Sequence, residues 1–390
     1  MYLYQVPIKT FKYKLRLTKN QRQTFQQWLG GCRFLYNCAL EHRIAVYQAT
    51  GTGTTYENQA GELPAIKKME GLKWLGQIPS QTLQATLERL HQAYKNFFNG
   101  AGFPKWARKY HYNSFTVKSV KIDTHNRLKL PKIGSVKYYA SRRIEGKLKR
   151  AVITRHGHSW YISVVCEVAP PEFCPATENQ RVGLDWGTTH FYTLSTGHHE
   201  RNLRLSQKYG SHLRVLQRSL ARKKPGSHNW KNVKRQLKRL HAKIARIRKD
   251  WHHRQSTELV RKYEMIFVED LRVKNLTKSS KGTIEEPGKM VRQKSGLNRS
   301  ILETSPGHFF QLLAYKCDWY QRGFAKVPAQ NTSRECSACG HISKENRKTQ
   351  DTFACEQCGH RENADVNAAK NIRSRGNAAL AANVGRLARA

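Results

Sequence analysis

Residues 331–372 read NTSRECSACGHISKENRKTQDTFACEQCGHRENADVNAAKNI, and the rest of the chain is organised around them. Cys336 and Cys339 form one C-x-x-C pair and Cys355 and Cys358 another, with fifteen residues between the pairs. That spacing belongs to structural zinc sites. Each pair presents two thiolates from one tight turn, and two such turns close a tetrahedral Zn–S4 shell. Gly340 and Gly359 follow the second cysteine of each pair, where a turn around a metal calls for a residue free to take positive φ. Two disulfides would use the same cysteines, but they need an oxidising compartment, for which nothing in the chain argues. Asp365 and Asn367 come next, on the first turn of an expected helix. Taken alone, Asp365 reads as an ordinary first-turn acid favoured by the helix dipole.

The chain has 390 residues, enough for two or three domains with cores of their own. Its 70 Lys and Arg stand against 27 Asp and Glu, a net charge of +43. Such self-repulsion weakens a compact monomer unless a polyanion offsets it. Nucleic acid is the polyanion to expect, because each neutralised phosphate releases a condensed counterion. A membrane surface is the alternative, but no apolar run approaches the roughly 18 residues of a membrane span, and no lipidation motif is visible. The opening MYLYQVPIKTFKYKLRL alternates like a strand and has no signal-peptide core. The other cysteines (Cys32, Cys38, Cys166, Cys174 and Cys317) are scattered, mostly in apolar contexts, as buried thiols are. These features predict a nucleic-acid-binding protein of a reducing compartment.

In chain order, residues 2–17 read as a strand, and Thr18 to Gln21 open a helix with a capping box. Phe25, Trp28, Leu29, Cys32 and Leu35 recur on it at helical spacing, with a kink expected at Gly30-Gly31. Residues 50–64 read as a loop, and a second helix is expected over Ser80–Phe98. From Gly102 onward short strands are expected at Ser114–Ile122, Leu128–Leu130, Gly134–Tyr139, Arg150–Ile153 and Trp160–Val168. With residues 2–17 they make a β-barrel or a curled sheet that the helical unit interrupts. Phe103, Trp106, Lys109, Tyr110, His111 and Tyr112 mix aromatic and basic groups, which suits base stacking beside phosphate contacts, although aromatics near strands are more often core. Pro170, Pro171 and Pro175 mark a linker.

The next domain opens with Val182-Gly183-Leu184-Asp185, a buried strand that delivers a carboxylate to its end. His190–Ser195 returns beside it. Two basic helices are expected over 212–222 and 230–251, and between Arg201 and Thr257 the only acid is Asp250, a balance that suits a phosphate track. Met265 to Leu271 repeats the strand-to-carboxylate pattern with Glu269 and Asp270. Strand side chains alternate, so only one of these acids joins Asp185 and the other caps the next segment. Residues 274–300 read as a mobile surface loop, leading to a helix near His308–Arg322 and a strand over Phe324–Val327. The tail after Arg375 is expected to be disordered. Asp185, Glu269 or Asp270, and Asp365 thus stand at element boundaries. Two-metal phosphodiester cleavage needs such a cluster, which holds two Mg2+ ions roughly 3.5–4 Å apart.

Here the sequence resembles a known family. VGLDWG, IFVEDL and ADVNAAKNI look like the three split motifs of a RuvC-like nuclease, and TSRECSACG with ACEQCG looks like the zinc ribbon inserted in it in TnpB proteins. GCRFLYNCAL and GFPKWARKY are also similar to TnpB, so the resemblance covers nearly the whole chain. It implies an α+β multidomain protein: an RNase H-like (RuvC) α/β nuclease domain with an inserted zinc ribbon, plus an N-terminal β-barrel interrupted by a helical recognition unit. The implied boundaries are 1–17 and 113–175 for the wedge-like barrel, 18–112 for the helical recognition domain, 181–330 and 362–390 for the nuclease, and 331–361 for the ribbon.

The resemblance implies an RNA-guided DNA endonuclease of an insertion sequence, cytoplasmic and nucleoid-associated in a prokaryote. Its guide RNA derives from the transposon end, its target is double-stranded DNA beside a short duplex motif, and it has no membrane partner. Asp185, Glu269 and Asp365 become the ligands of two catalytic Mg2+ ions, and Cys336, Cys339, Cys355 and Cys358 hold one structural Zn2+; Asp270 is left out. One departure stands out: many relatives carry an Asp two residues before the last catalytic acid, where this chain has Asn363. Two further functions stay open beside the guided nuclease. One is a strand-joining transposase; the other is a nuclease-inactive RNA-guided repressor, against which the intact acids argue.

Overall fold

The structure is a computed structural model; it describes residues 7–124, 126–157, 159–169, 176 and 178–387. The chain is α+β and divides into two compact units, Met1–Pro170 and Pro171–Ala390. Expectations for residues 2–6, the proline linker at 170–175 and Cys174 lie outside the described residues.

In the first unit, β1 (Ile8–Arg16) leads into α1 (Lys19–Thr50), α2 (Tyr56–Ile66) and α3 (Ser80–Phe98). Six strands come next: β2 (Ser114–Val117), β3 (Lys121–Thr124), β4 (Arg127–Leu130), β5 (Gly134–Tyr138), β6 (Lys147–His156) and β7 (Ser159–Glu167). They form an antiparallel sheet in the order β2-β6-β7-β1-β5-β4-β3. Strand β1 changes partner along its length: residues 8–14 pair with β7, then Leu15 and Arg16 with β5. Its alternation buries Phe11, Tyr13 and Leu15 and leaves the intervening Lys and Arg outside. Phe25 and Trp28 of α1 meet Phe115 and Trp160 of the sheet edge-on, at ring separations of 5.4–5.9 Å.

Thr18 caps α1 in a full capping box with Gln21. Helix α1 runs unbroken through Gly30-Gly31, and Gly31 serves packing: a Cβ on it would lie 2.3 Å from Ile78 and 3.0 Å from Trp74. The expected loop over 50–64 is also corrected. Thr55 caps α2 by accepting from the Asn58 N–H, and Gln59 and Leu63 are buried beneath it, which holds the helix although Pro64 within it gives up one main-chain hydrogen bond. The single strand expected over Ser114–Ile122 is two strands, β2 and β3, with different partners.

The second unit is built on a five-stranded sheet. Its elements are β8 (Glu178–Trp186), β9 (His190–Leu194), β10 (His199–Arg201), α4 (Leu205–Ala221), α5 (His228–Lys262), β11 (Tyr263–Glu269), α6 (Val273–Leu276), α7 (Val291–Thr304), α8 (Pro306–Trp319) and β12 (Gly323–Val327). After the cysteine segment come β13 (Thr352–Ala354), β14 (Arg361–Asn363) and α9 (Ala364–Leu387). The strand order is β10-β9-β8-β11-β12, with β8, β11 and β12 parallel and β9 and β10 antiparallel. One face packs on α5 and α8 through Phe191, Phe309, Leu259 and Val260; the other carries α9.

The basic helices are longer than expected. α5 continues past Trp251 because His252, Ser256, Leu259 and Val260 are buried against the sheet and α8. Residues 274–300, expected as a loop, contain most of α7, whose Ile301 and Thr304 are buried. The tail is helical to Leu387 rather than disordered, because it has something to pack on: Leu380 joins the Phe267, Val327 and Ile372 cluster. A Cβ on Gly376 would come within 2.1 Å of the Phe267 ring, so glycine there lets the helix lie close to β11.

Candidate active site and cysteine centre

Strands β8 and β11 run side by side in parallel, with Leu184 opposite Val268, so the next residues, Asp185 and Glu269, reach the same edge of the sheet. The third acid arrives on α9. Its backbone crosses β8 so closely that a Cβ on Gly183 would sit 2.0 Å from the Ala369 carbonyl. Asp365 lies one turn before Ala369, at the helix start, and therefore comes to Asp185. Burial, then the neighbouring Glu269 and Asp365 carboxylates, push Asp185 well above the usual carboxylate range, against the opposing pull of Arg347. Burial also raises Glu269, while a hydrogen bond from Thr332 and the charge of Arg375 oppose the shift.

Asp270, the other acid of its pair, is not in the cluster. It pairs with Lys326 at 3.1 Å on the exposed surface. Asn363, the departure from the family pattern, is engaged in capping: its Oδ1 accepts from the N–H groups of Asp365 (3.0 Å) and Val366 (3.2 Å). Asn and Asp serve equally at that position.

The structure adds residues that the motifs did not announce. Arg347, between β12 and β13 in sequence, places Nη2 3.0 Å from Asp365 Oδ1. His190 Nδ1 is buried without a hydrogen-bond partner, 4.0 Å from Asp365 Oδ2. A buried carboxyl that two neighbouring carboxylates push upward, with an orphaned polar atom beside the group, suits divalent cations and their waters. Thr332 is buried and donates to Glu269 Oε1. A ladder on α9 fixes the segment that carries Thr332. Asn367 Nδ2 donates to the Glu335 carbonyl at 2.8 Å, Asn371 Nδ2 donates to the carbonyls of Thr332 (2.9 Å) and Glu335 (2.7 Å), and Arg375 reaches the carbonyls of Pro328 and Gln330. Asn367, Asn371 and Arg375 recur every four residues. That helical period is the one sequence signal that could have marked them.

The four cysteines of the two C-x-x-C pairs converge. Their sulfurs all lie within 4.8 Å of one another, with Cys336–Cys358 at 3.7 Å and Cys339–Cys355 at 3.6 Å. A disulfide needs about 2.05 Å, whereas a tetrahedral shell with metal–sulfur bonds of about 2.3 Å has edges of about 3.8 Å. The four-thiolate set therefore fits one tetrahedral metal ion. The two turns match: the N–H groups of Gly340 and Gly359 donate to the carbonyls of Cys336 (2.9 Å) and Cys355 (3.0 Å), at φ of 79° and 75°. The Cys358 N–H, foremost among several donors, draws Cys355 down to about 6. The same module touches the sheet edge, where Gln350 Nε2 donates to Thr189 Oγ1 at 3.2 Å.

Fold and site thus define an α+β protein whose mixed sheet gathers three carboxylates at one edge beside a four-cysteine module. Residues 163–280 match the family OrfB_IS605, described as "Probable transposase", residues 307–372 the "Cas12f1-like, TNB domain", and residues 8–52 a "Helix-turn-helix domain" of OrfB_IS605. Over 379 residues the chain is 39% identical to the "Putative RNA-guided DNA endonuclease InsQ" of Escherichia coli (strain K12), covering 96% of this chain and 94% of that one. A Streptomyces pristinaespiralis protein described in the same words without the suffix is 30% identical over 384 residues, covering 96% and 90%. Among solved structures, the one titled "Structure of the mini-RNA-guided endonuclease CRISPR-Cas_phi3" aligns with 95% of this chain and 92% of its own, at 11% identity and a TM-score of 0.49. The chain belongs to the OrfB_IS605 family, the TnpB proteins. Among the described residues no helix is long and apolar enough to cross a membrane.

Proposed function

We propose that this protein is an RNA-guided DNA endonuclease that hydrolyses target DNA at a RuvC-like, RNase H-like centre formed by Asp185, Glu269 and Asp365. What supports the reading is the gathering of three carboxylates at one sheet edge in a chain of +43 net charge, together with chain-long identity to relatives of that description. Two bound Mg2+ ions would supply Lewis acidity at the attacking and leaving oxygens of the phosphodiester. The chain's own part is placement: two acids from neighbouring strands and one from a helix start, with Glu269 held by Thr332. Arg347 brings a guanidinium to the same edge, where the incoming phosphate's negative charge would arrive. Cys336, Cys339, Cys355 and Cys358 hold one structural zinc in a ribbon over 331–361. The remaining boundaries follow the family plan: barrel at 1–17 and 113–175, helical recognition unit at 18–112, nuclease at 181–330 and 362–390.

The partners are a guide RNA from the transposon end and a double-stranded DNA target. Base pairing reads the target sequence, and the protein reads only a short adjacent duplex motif. The basic α4 and α5 carry more positive charge than a short DNA site would neutralise, so binding is steeply salt-dependent. Expression with the flanking genomic region, recovery of the bound RNA and replacement of its guide segment test this reading. Cleavage moves to the newly matched site; ribonuclease-treated protein that still cuts the original sites overturns it. The family description favours one second reading, a strand-joining transposase, which a strand-transfer product from the same DNA would reveal.

A further inference from the structure

We infer that the end of α3 and the turn after it form a stacking platform for unpaired bases of a single-stranded nucleic acid. This goes beyond the carboxylate centre and uses none of its residues. Phe97, Phe98, Phe103, Trp106 and Tyr110 are all exposed, Phe98 at 77% and Tyr110 at 85%. Large aromatics are rarely left so bare on a surface without use. Three of the rings are organised with Tyr94: Phe97 and Phe103 meet edge to face at 5.3 Å, Tyr94 and Phe103 at 5.7 Å, and Tyr94 lies 6.4 Å from Phe98.

The segment is built rather than loose. Pro104 is buried, and Asn37 of α1 clamps Ala107 from both sides, accepting from its N–H at 2.8 Å and donating to its carbonyl at 3.3 Å. The Arg108 carbonyl closes the turn by accepting from His111 and Tyr112. Beneath the rings, Arg43 lies 5.1 Å from the centre of Tyr94; it is only 6% exposed, and its Nη2 has no hydrogen-bond partner. A cation under an aromatic tier strengthens the tier's hold on its place.

Charge decides the occupant. No Asp or Glu stands between Glu88 and Asp123 in the sequence, and Lys95, Lys105, Arg108 and Lys109 fall in that stretch; from α2, Glu57 acts on Arg43 and Lys95. A protein partner of ordinary composition would not need so one-sided a rim, whereas alternating cations and aromatic faces are what a polynucleotide backbone with splayed bases requires. A paired duplex hides its base faces, so the platform takes single strands.

The test uses the full chain and 12-nucleotide oligomers of uridine or thymidine, with an abasic 12-mer as the backbone-only control. Photocrosslinking of 5-iodouracil-substituted oligomers, read by mass spectrometry, places crosslinks within residues 94–110. The triple variant Phe98→Ala, Phe103→Ala, Tyr110→Ala loses at least about tenfold affinity for the base-bearing oligomers and none for the abasic one, since stacking on a single ring contributes about that factor. Phe103 also packs on Phe97 and Tyr94, so the double variant Phe98→Ala, Tyr110→Ala, at the two barest rings, is the one that keeps its melting temperature while losing preference for bases, and Phe98→Trp keeps full affinity. Crosslinks falling elsewhere overturn the inference, as does an unchanged preference for bases in the triple variant. Equal loss for the base-bearing and abasic strands overturns it too.

Discussion

Asn371→Ala tests how the cysteine segment and the carboxylate centre are joined. Asn371 is buried and supplies a donor to two main-chain carbonyls, those of Thr332 and Glu335. Glu335 keeps the amide of Asn367, so its carbonyl stays satisfied, whereas Thr332 loses the donor that Asn371 gives it. Leaving a buried carbonyl unpaired costs about 1–3 kcal/mol, and the second lost bond adds about 1 kcal/mol. The loss of roughly 2–4 kcal/mol lowers the melting temperature of a unit of this size by about 5–15 °C. Thr332 then no longer presents its hydroxyl squarely to Glu269, and a carboxylate misplaced by about 1 Å lowers cleavage about 10²-fold. The assay pairs thermal melting with Mg2+-dependent cleavage and target binding in the RNA-loaded protein. Thr332→Val, which removes only the hydroxyl, shows the cleavage defect with a much smaller melting shift, and Thr332→Ser restores activity. An Asn371→Ala protein that melts early yet cuts at the wild-type rate refutes the link between the ladder and Glu269.

Asp185→Ala and Glu269→Ala abolish cleavage while target binding, measured by mobility shift, stays largely intact; Asp270→Ala, which loses only a surface pair with Lys326, retains substantial activity. The purified protein holds about one tightly bound zinc by elemental analysis. Cys355→Ser loses that zinc and lowers activity by loosening the module that carries Arg347 and leads into Asp365; full activity in a zinc-free preparation counts against this coupling. Lys316 is buried with its ammonium donating to the His253 carbonyl, Ser256 and Thr257, and burial lowers its pKa to about 8. Between about 8 and the ordinary lysine value the unfolded chain binds the proton more tightly, so this group makes stability rise with pH across that window. In denaturant titrations Lys316→Met removes that rise relative to wild type, and parallel pH curves for the two proteins would contradict the assignment.

What could be read from the chain alone was whatever a few neighbouring residues settle among themselves. A capping box needs only Thr18 and Gln21, and it forms as expected. Two C-x-x-C turns carry their own geometry, and their sulfurs meet at metal-shell spacing. An apolar run ending in Asp or Glu is a strand that delivers a carboxylate, and Asp185 and Glu269 stand on adjacent parallel strands. Errors arose where a local cue was outweighed by a partner far away in sequence. At Gly31 the local cue said nothing of Ile78 and Trp74, which fill the space that this glycine leaves. The polar, glycine-bearing stretches 50–64 and 274–300 looked like loops, yet most of α2 and of α7 falls within them, each burying enough of one face to hold a helix. The final residues looked unable to pack until Phe267 and Val327 supplied a surface for Leu380 and a close approach for Gly376. Arg347, Thr332 and Asn371 were invisible as site residues for the same reason. Each acts on a group 18 to 63 positions away or on the main chain that carries it, and only the crossing of α9 over β8 and β11 brings those partners within hydrogen-bond reach.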